Sequence, residues 1–152
     1  MGTSFVSIND KGFWMLDSVL ELWLRLLALH IEESPNEEFI GRQIRDNWLL
    51  ASRGYFNGWV PIKLGDAVST EEGRAIVVKA INSLLGALKN GPAMLHRGTL
   101  NLLGIEGLTW MDDFASNSLI EVGNAFLALI AGEIQSDASS REFMPGSRKS
   151  TQ

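Results

Sequence analysis

Two side chains in this 152-residue sequence, His30 and His96, are of the residue type suited to proton transfer near neutral pH. Neither belongs to an HExxH or Glu-x-x-His pair, and the absence of cysteine excludes disulfides and thiolate zinc sites. Four acidic doublets, Glu32-Glu33, Glu37-Glu38, Glu71-Glu72 and Asp112-Asp113, carry the charge that Mg²⁺ accepts alongside phosphate. Neighbours on a helix diverge by about 100°, however, and acids at helix starts complement the positive end of the dipole. No metal and no cofactor is therefore expected. The phosphate-loop, dinucleotide and nucleophile-elbow patterns GxxxxGK[ST], GxGxxG and GxSxG are absent, as is SxxK. Gly104-Ile105-Glu106-Gly107 has the spacing of a GXXG clamp, but the acid inside it opposes a phosphate backbone.

One spacing has a catalytic meaning. Arg25-Leu26-Leu27-Ala28-Leu29-His30 is an R-x4-H string, and it resembles the motif of HEPN-type ribonucleases, which are small all-α domains. The resemblance implies that Arg25 stabilises charge developing on phosphate while His30 acts as general acid or base. On a regular helix the two side chains stand about 140° apart, so they converge only if the helix ends near His30 or a second copy supplies a partner. The other reading pairs Arg25 with Glu21, four residues earlier, and leaves His30 at a helix C-terminus.

Aromatic residues offer a non-catalytic route. Five tryptophans are many for this length; Trp23 and Trp48 fall on apolar helix faces and belong to the core. Tyr55, Phe56 and Trp59 cluster instead around the turn dipeptide Asn57-Gly58, where they can anchor a protein partner or pack beneath a loop. Trp110, Asp112 and Asp113 form a second patch, suited to a basic partner; the alternative is a helix start capped by Thr109.

The elements that must position these residues read as helices. Phe13–Glu33 shows helical spacing with a narrow polar stripe and is the expected central helix. A second helix opens at Ser34-Pro35 with Glu37 returning to the cap, lines up Phe39, Ile40, Ile44, Trp48 and Ala51, and stops before Gly54. Residues 55–68 are a loop or a short hairpin. A third helix begins at Ser69 with Glu72 in capping-box position and ends at Gly91-Pro92. A short helix is expected near Leu100, and the last runs from Leu119 to Ile134, its Gly123 and Gly132 suggesting close helix contacts. The expectation is one all-α domain of four to five helices over residues 1–135, with a disordered tail at 136–152, where Ser, Arg, Lys, Pro and Gly dominate.

Charge and hydropathy bound the rest. With 18 acids against 13 bases, a net charge of −5 and a pI near 5.0, general nucleic-acid binding is not expected. The apolar stretch 13–31 is long enough to span a bilayer but carries Asp17, Glu21 and Arg25, so no membrane association is expected, and the absence of a leader pattern suggests the cytoplasm. The functional expectation is an acidic, non-catalytic protein-binding module, most concretely an intracellular inhibitor of the immunity or antitoxin type that masks a basic protein. The alternatives are the ribonuclease using Arg25 and His30, and a helical subunit of a larger assembly or homo-oligomer.

Overall fold

The chain opens with a β-hairpin that the helical reading of Phe13–Glu33 misses. A computed structural model describes residues 2–31, 38–103, 109–141 and 143–147. In it β1 (Thr3–Ile8) pairs antiparallel with β2 (Lys11–Leu16), Thr3 opposite Leu16 and Ile8 opposite Lys11. The turn residues Asn9 and Asp10 take φ of 51° and 66°, the doubly left-handed geometry that twisted hairpins favour and that Asn and Asp tolerate. Alternation then separates the faces. Ser4, Val6, Phe13 and Met15 are buried, whereas the opposed pair Phe5 and Trp14 stacks on the other side with centroids 5.3 Å apart.

α1 (Asp17–Ala28) follows β2 with no intervening loop, which is why the apolar run reads as one helix. It is the central helix, with Leu20, Leu22, Trp23, Leu24 and Leu27 fully buried. α2 (Glu38–Ala51) packs beside it through Ile44, Trp48 and Ala51, while Phe39, expected on the same face, is exposed. Gly54 takes the expected left-handed conformation at φ 92°.

After the single turn α3 (Leu64–Ala67), the long α4 (Glu71–Asn90) is capped by Thr70, whose Oγ1 accepts from Gly73 N at 3.0 Å. Ser69, the expected cap, donates instead to the Asp66 carbonyl at 2.7 Å. A two-residue ladder of β3 (Met94–Leu95) and β4 (Phe114–Ala115) brackets α5 (Arg97–Leu102), and α6 (Ser116–Ile130) closes the core against α4 and α1. Gly123 lets α6 approach closely, since a Cβ there would run into Leu85 and Trp23. Gly132 has a different role, a left-handed turn beyond the helix with open space around it.

The domain is therefore mixed α/β rather than all-α or a helical bundle: the described residues form six helices and two small antiparallel sheets. After Gln135, where composition suggests disorder, the described residues contact the hairpin and α1. Gly12 N donates to the Ser136 carbonyl and Trp14 Nε1 to that of Ala138, both at 2.8 Å. Arg141 lies 4.2 Å over the Trp14 ring, Phe143 packs edge-on against Phe13, and Pro145 and Gly146 are buried, Gly146 against Val19 and Val122. Each aromatic or cation–π contact contributes about 0.5–1.5 kcal/mol, a part of the ordering entropy that composition alone leaves uncovered. The helix start at Ser34-Pro35-Glu37, the doublet Glu32-Glu33 and the spacing Gly104–Gly107 lie outside the described residues.

Candidate functional site

Residues 55–62 form a loop, not a hairpin, and the loop is built around one turn. Trp59 N donates to the Phe56 carbonyl at 3.1 Å, and Gly58 at the third position has φ 86°, which suits a type II turn and glycine. Two buried side chains hold this turn in place. Asp17, 5% exposed at the start of α1, accepts from Gly58 N through Oδ2 and from Ser4 Oγ through Oδ1, both at 2.6 Å. Ser4 Oγ in turn accepts from Val60 N at 2.9 Å. Further on, Val60 and Ile62 are buried, and the Ile62 carbonyl accepts from Trp48 Nε1 at 3.1 Å. These charge-assisted and buried bonds fix the backbone.

The side chains above that backbone face water. Tyr55 is 55% and Trp59 64% exposed, with Phe56 half-buried between them. The Phe56 and Trp59 rings meet edge to face with centroids 4.9 Å apart, and Tyr55 meets Phe56 at 6.5 Å. The expected cluster of Tyr55, Phe56 and Trp59 is thus brought together on a fixed mount. Rings that are large, amphipathic and already ordered lose little entropy when a partner covers them.

The second patch is divided by the fold. Trp110 is half-buried, edge to face with Phe114 at 5.3 Å and clasped by Asn101, whose Oδ1 accepts from Trp110 N at 2.7 Å and whose Nδ2 donates to its carbonyl at 3.2 Å. Asp113 Oδ1 accepts from Arg97 N at 2.9 Å and so holds the start of α5. Asp112 and its neighbour Met111 are exposed. Nor does the patch adjoin the loop. The loop sits at the N-terminal turn of α1, whereas α5 is tied to the far half of that helix through Arg25, and α1 is 12 residues, about 18 Å, long.

Arg25 and His30 also have separate partners. α1 ends at Ala28, so His30 lies in the turn beyond, with its N–H on the Leu27 carbonyl and its Nδ1 2.7 Å from Ser83 Oγ. Arg25 Nη1 donates to the Leu103 carbonyl at 2.6 Å, while its Nε is buried with no hydrogen-bond partner. No contact between the two is recorded among the described residues. The pairing of Arg25 with Glu21 is not formed as a close ion pair either. Glu21 is 7% exposed with Oε2 unpartnered, and burial, followed by the charge of Asp17, pushes its carboxyl from 4.5 up to about 7 against the opposing pull of Arg25.

Sequence reasoning missed the Asp17–Ser4 mount, because Ser4 is 13 residues away on a strand that the sequence reading does not assign. The signal was an acid at the start of an otherwise apolar helix, which needs donors if it is buried. It also missed a cleft that holds both histidines, His30 and His96, because they come together only through β3 and α5. Among the described residues no group of three or more His, Asp or Glu is placed to hold a metal ion, and no helix is long and apolar enough to cross a membrane. Comparison with family models, curated proteins and solved structures gives no match, so the immunity and antitoxin readings have no relative to rest on.

Proposed function

We propose that this chain acts by binding another protein, with Tyr55, Phe56 and Trp59 as the anchoring contact and a basic surface as the complement to its acidity. The observation that carries the reading is that the 55–60 backbone is fixed by the buried Asp17 while Tyr55 and Trp59 stand more than half exposed. A loop ordered only for stability would turn its aromatic rings inward, since covering one is worth about 2–3 kcal/mol. The net charge of −5 supports faster association with a basic partner and discriminates against acidic competitors. Asp112, exposed near α5, belongs to the acidic surface, whereas Trp110 and Asp113 are engaged within the domain. The ribonuclease reading has the weaker footing, because Arg25 and His30 bind different elements and the fold is not the all-α one that the resemblance implies.

The test is purification of the chain from its own host at low salt, with wild type and Trp59→Ala compared side by side. A stoichiometric basic protein should accompany the wild type, leave at high salt and be lost from Trp59→Ala, the variant keeping its far-UV circular dichroism and melting within a few degrees of wild type. Equal retention by Trp59→Ala, or no partner with either, would sink the reading and turn attention to RNA cleavage by wild type against His30→Ala.

A further inference from the structure

A cleft of about 520 Å³ opens between the C-terminal ends of α1 and α4, with β3 and α5 forming its other side. Volumes of this order hold small-molecule ligands. Its walls are mostly apolar, Leu26, Leu84, Leu88 and Leu100 prominent among them, and its polar groups include both histidines of the chain. Neither Asp nor Glu is among its described lining residues, in a chain that has 18. Each imidazole is held through Nδ1. His96 Nδ1 accepts from Gly98 N at 3.0 Å, which puts the ring hydrogen on Nε2, and His30 Nδ1 meets Ser83 Oγ at 2.7 Å. His96 is exposed, so its Nε2 hydrogen is accessible to a ligand. Close by, the Arg25 guanidinium donates to the carbonyl of Leu103, itself a lining residue, and adds positive charge to that side.

We infer that the cleft binds a small amphipathic acid, its apolar body between α1, α4 and α5 and its carboxylate accepting from imidazole Nε2–H, that of His96 foremost. An apolar cavity with donors and, among the described residues, without carboxylates, in an otherwise acidic chain, selects for an apolar molecule with a single anionic head. The inference is independent of the aromatic loop, which lies at the other end of α1.

The experiment titrates the intact chain with three probes of one chain length, decanoate, decanol and decyltrimethylammonium, read by calorimetry and by methyl and imidazole NMR shifts. Decanoate should bind at least about tenfold more tightly than decanol, the effect of one charge-assisted hydrogen bond, and the ammonium should not bind. Shifts should be confined to Leu26, Leu84, Leu88, Leu100 and the two imidazoles. His96→Asn keeps an acceptor for Gly98 N but removes Nε2, so it should weaken decanoate about tenfold and leave decanol unchanged. Thr99→Trp, at the exposed rim, should block both. Equal affinity for decanoate and decanol, shifts outside the cleft, or self-association of the chain through these residues in place of ligand binding overturns the inference. Should His96→Asn fail to fold, the head-group comparison on the wild type decides alone.

Discussion

At the first turn of α1 a buried carboxylate, Asp17, has donors on both oxygens; one turn further on another, Glu21, has an oxygen with none. Arg25, the next residue on that stripe, repeats the second pattern, with Nη1 bonded to Leu103 and Nε left without a partner. The difference lies in what packs above each position. Over Asp17 lie the strand hydroxyl of Ser4 and the backbone amide of Gly58, both donating to the carboxylate through hydrogen bonds that burial strengthens. Glu21 has burial without that compensation, and with Asp17 nearby its proton is held up to about pH 7. One helix therefore carries a fully satisfied mount at its first turn and a costly polar stretch behind it. The mount supports the exposed aromatic rings of the loop, and the stretch behind it leads toward the cleft.

Removing the mount should have the largest effect. Asp17→Ala takes the acceptor from the buried Ser4 hydroxyl and the part-buried Gly58 amide at once, and at about 1.5–3 kcal/mol for each bond to a charged group the loss is about 4 kcal/mol. For a chain of this length that lowers Tm by on the order of 10 °C, and urea unfolding will measure it. A loss under about 1 kcal/mol would mean that the two carboxylates are not different in kind. Glu21→Gln should act in the opposite direction and only above acidic pH. The folded chain holds the Glu21 proton up to about pH 7, whereas the unfolded chain releases it near 4.5, so wild-type stability falls as pH rises through that window. Relative to wild type, Glu21→Gln should be indistinguishable below pH 4.5 and more stable by up to about 3 kcal/mol at pH 8. Denaturation curves at the two pH values give the comparison, and a variant no more stable at pH 8 would contradict the buried, uncompensated acid.

How far this arrangement can be read without the structure depends on the range of the contacts. The helices over 38–51 and 71–90 follow from period and punctuation, because the signals are local: Gly54, Ser69 one residue before the actual cap Thr70, and Gly91-Pro92. The strands do not. Phe13–Leu16 is apolar like the helix it leads into, and only the pairing of Val6 with Phe13 across the Asn9-Asp10 turn makes it a strand. β3 and β4 are two residues each, too short to show any alternation. Composition alone shows no partner for the tail, whereas Phe13 and Trp14 of the hairpin offer a surface to Phe143 and Arg141. For the site, the aromatic loop could be identified from Asn57-Gly58 and three rings, whereas the division of Trp110 from Asp112 required the contacts of Phe114, Asn101 and Arg97.

The two tryptophans of the expected binding patches give the smallest and sharpest comparison. Trp110 meets buried Phe114 edge to face, and truncating a well-packed ring ordinarily costs 3–5 kcal/mol, but its Nε1 is itself buried without a partner, so removing it also relieves a desolvation cost. Trp110→Ala should therefore destabilise by about 2 kcal/mol. Trp59 forfeits only its edge-to-face contact with Phe56, because most of its surface is already in water, and Trp59→Ala should destabilise by no more than about 1 kcal/mol. Partner binding should reverse that order, with Trp59→Ala the more damaging variant. If Trp59→Ala proves the more destabilising of the two, the loop rings are supporting the fold, and the aromatic cluster loses its claim to be an interface.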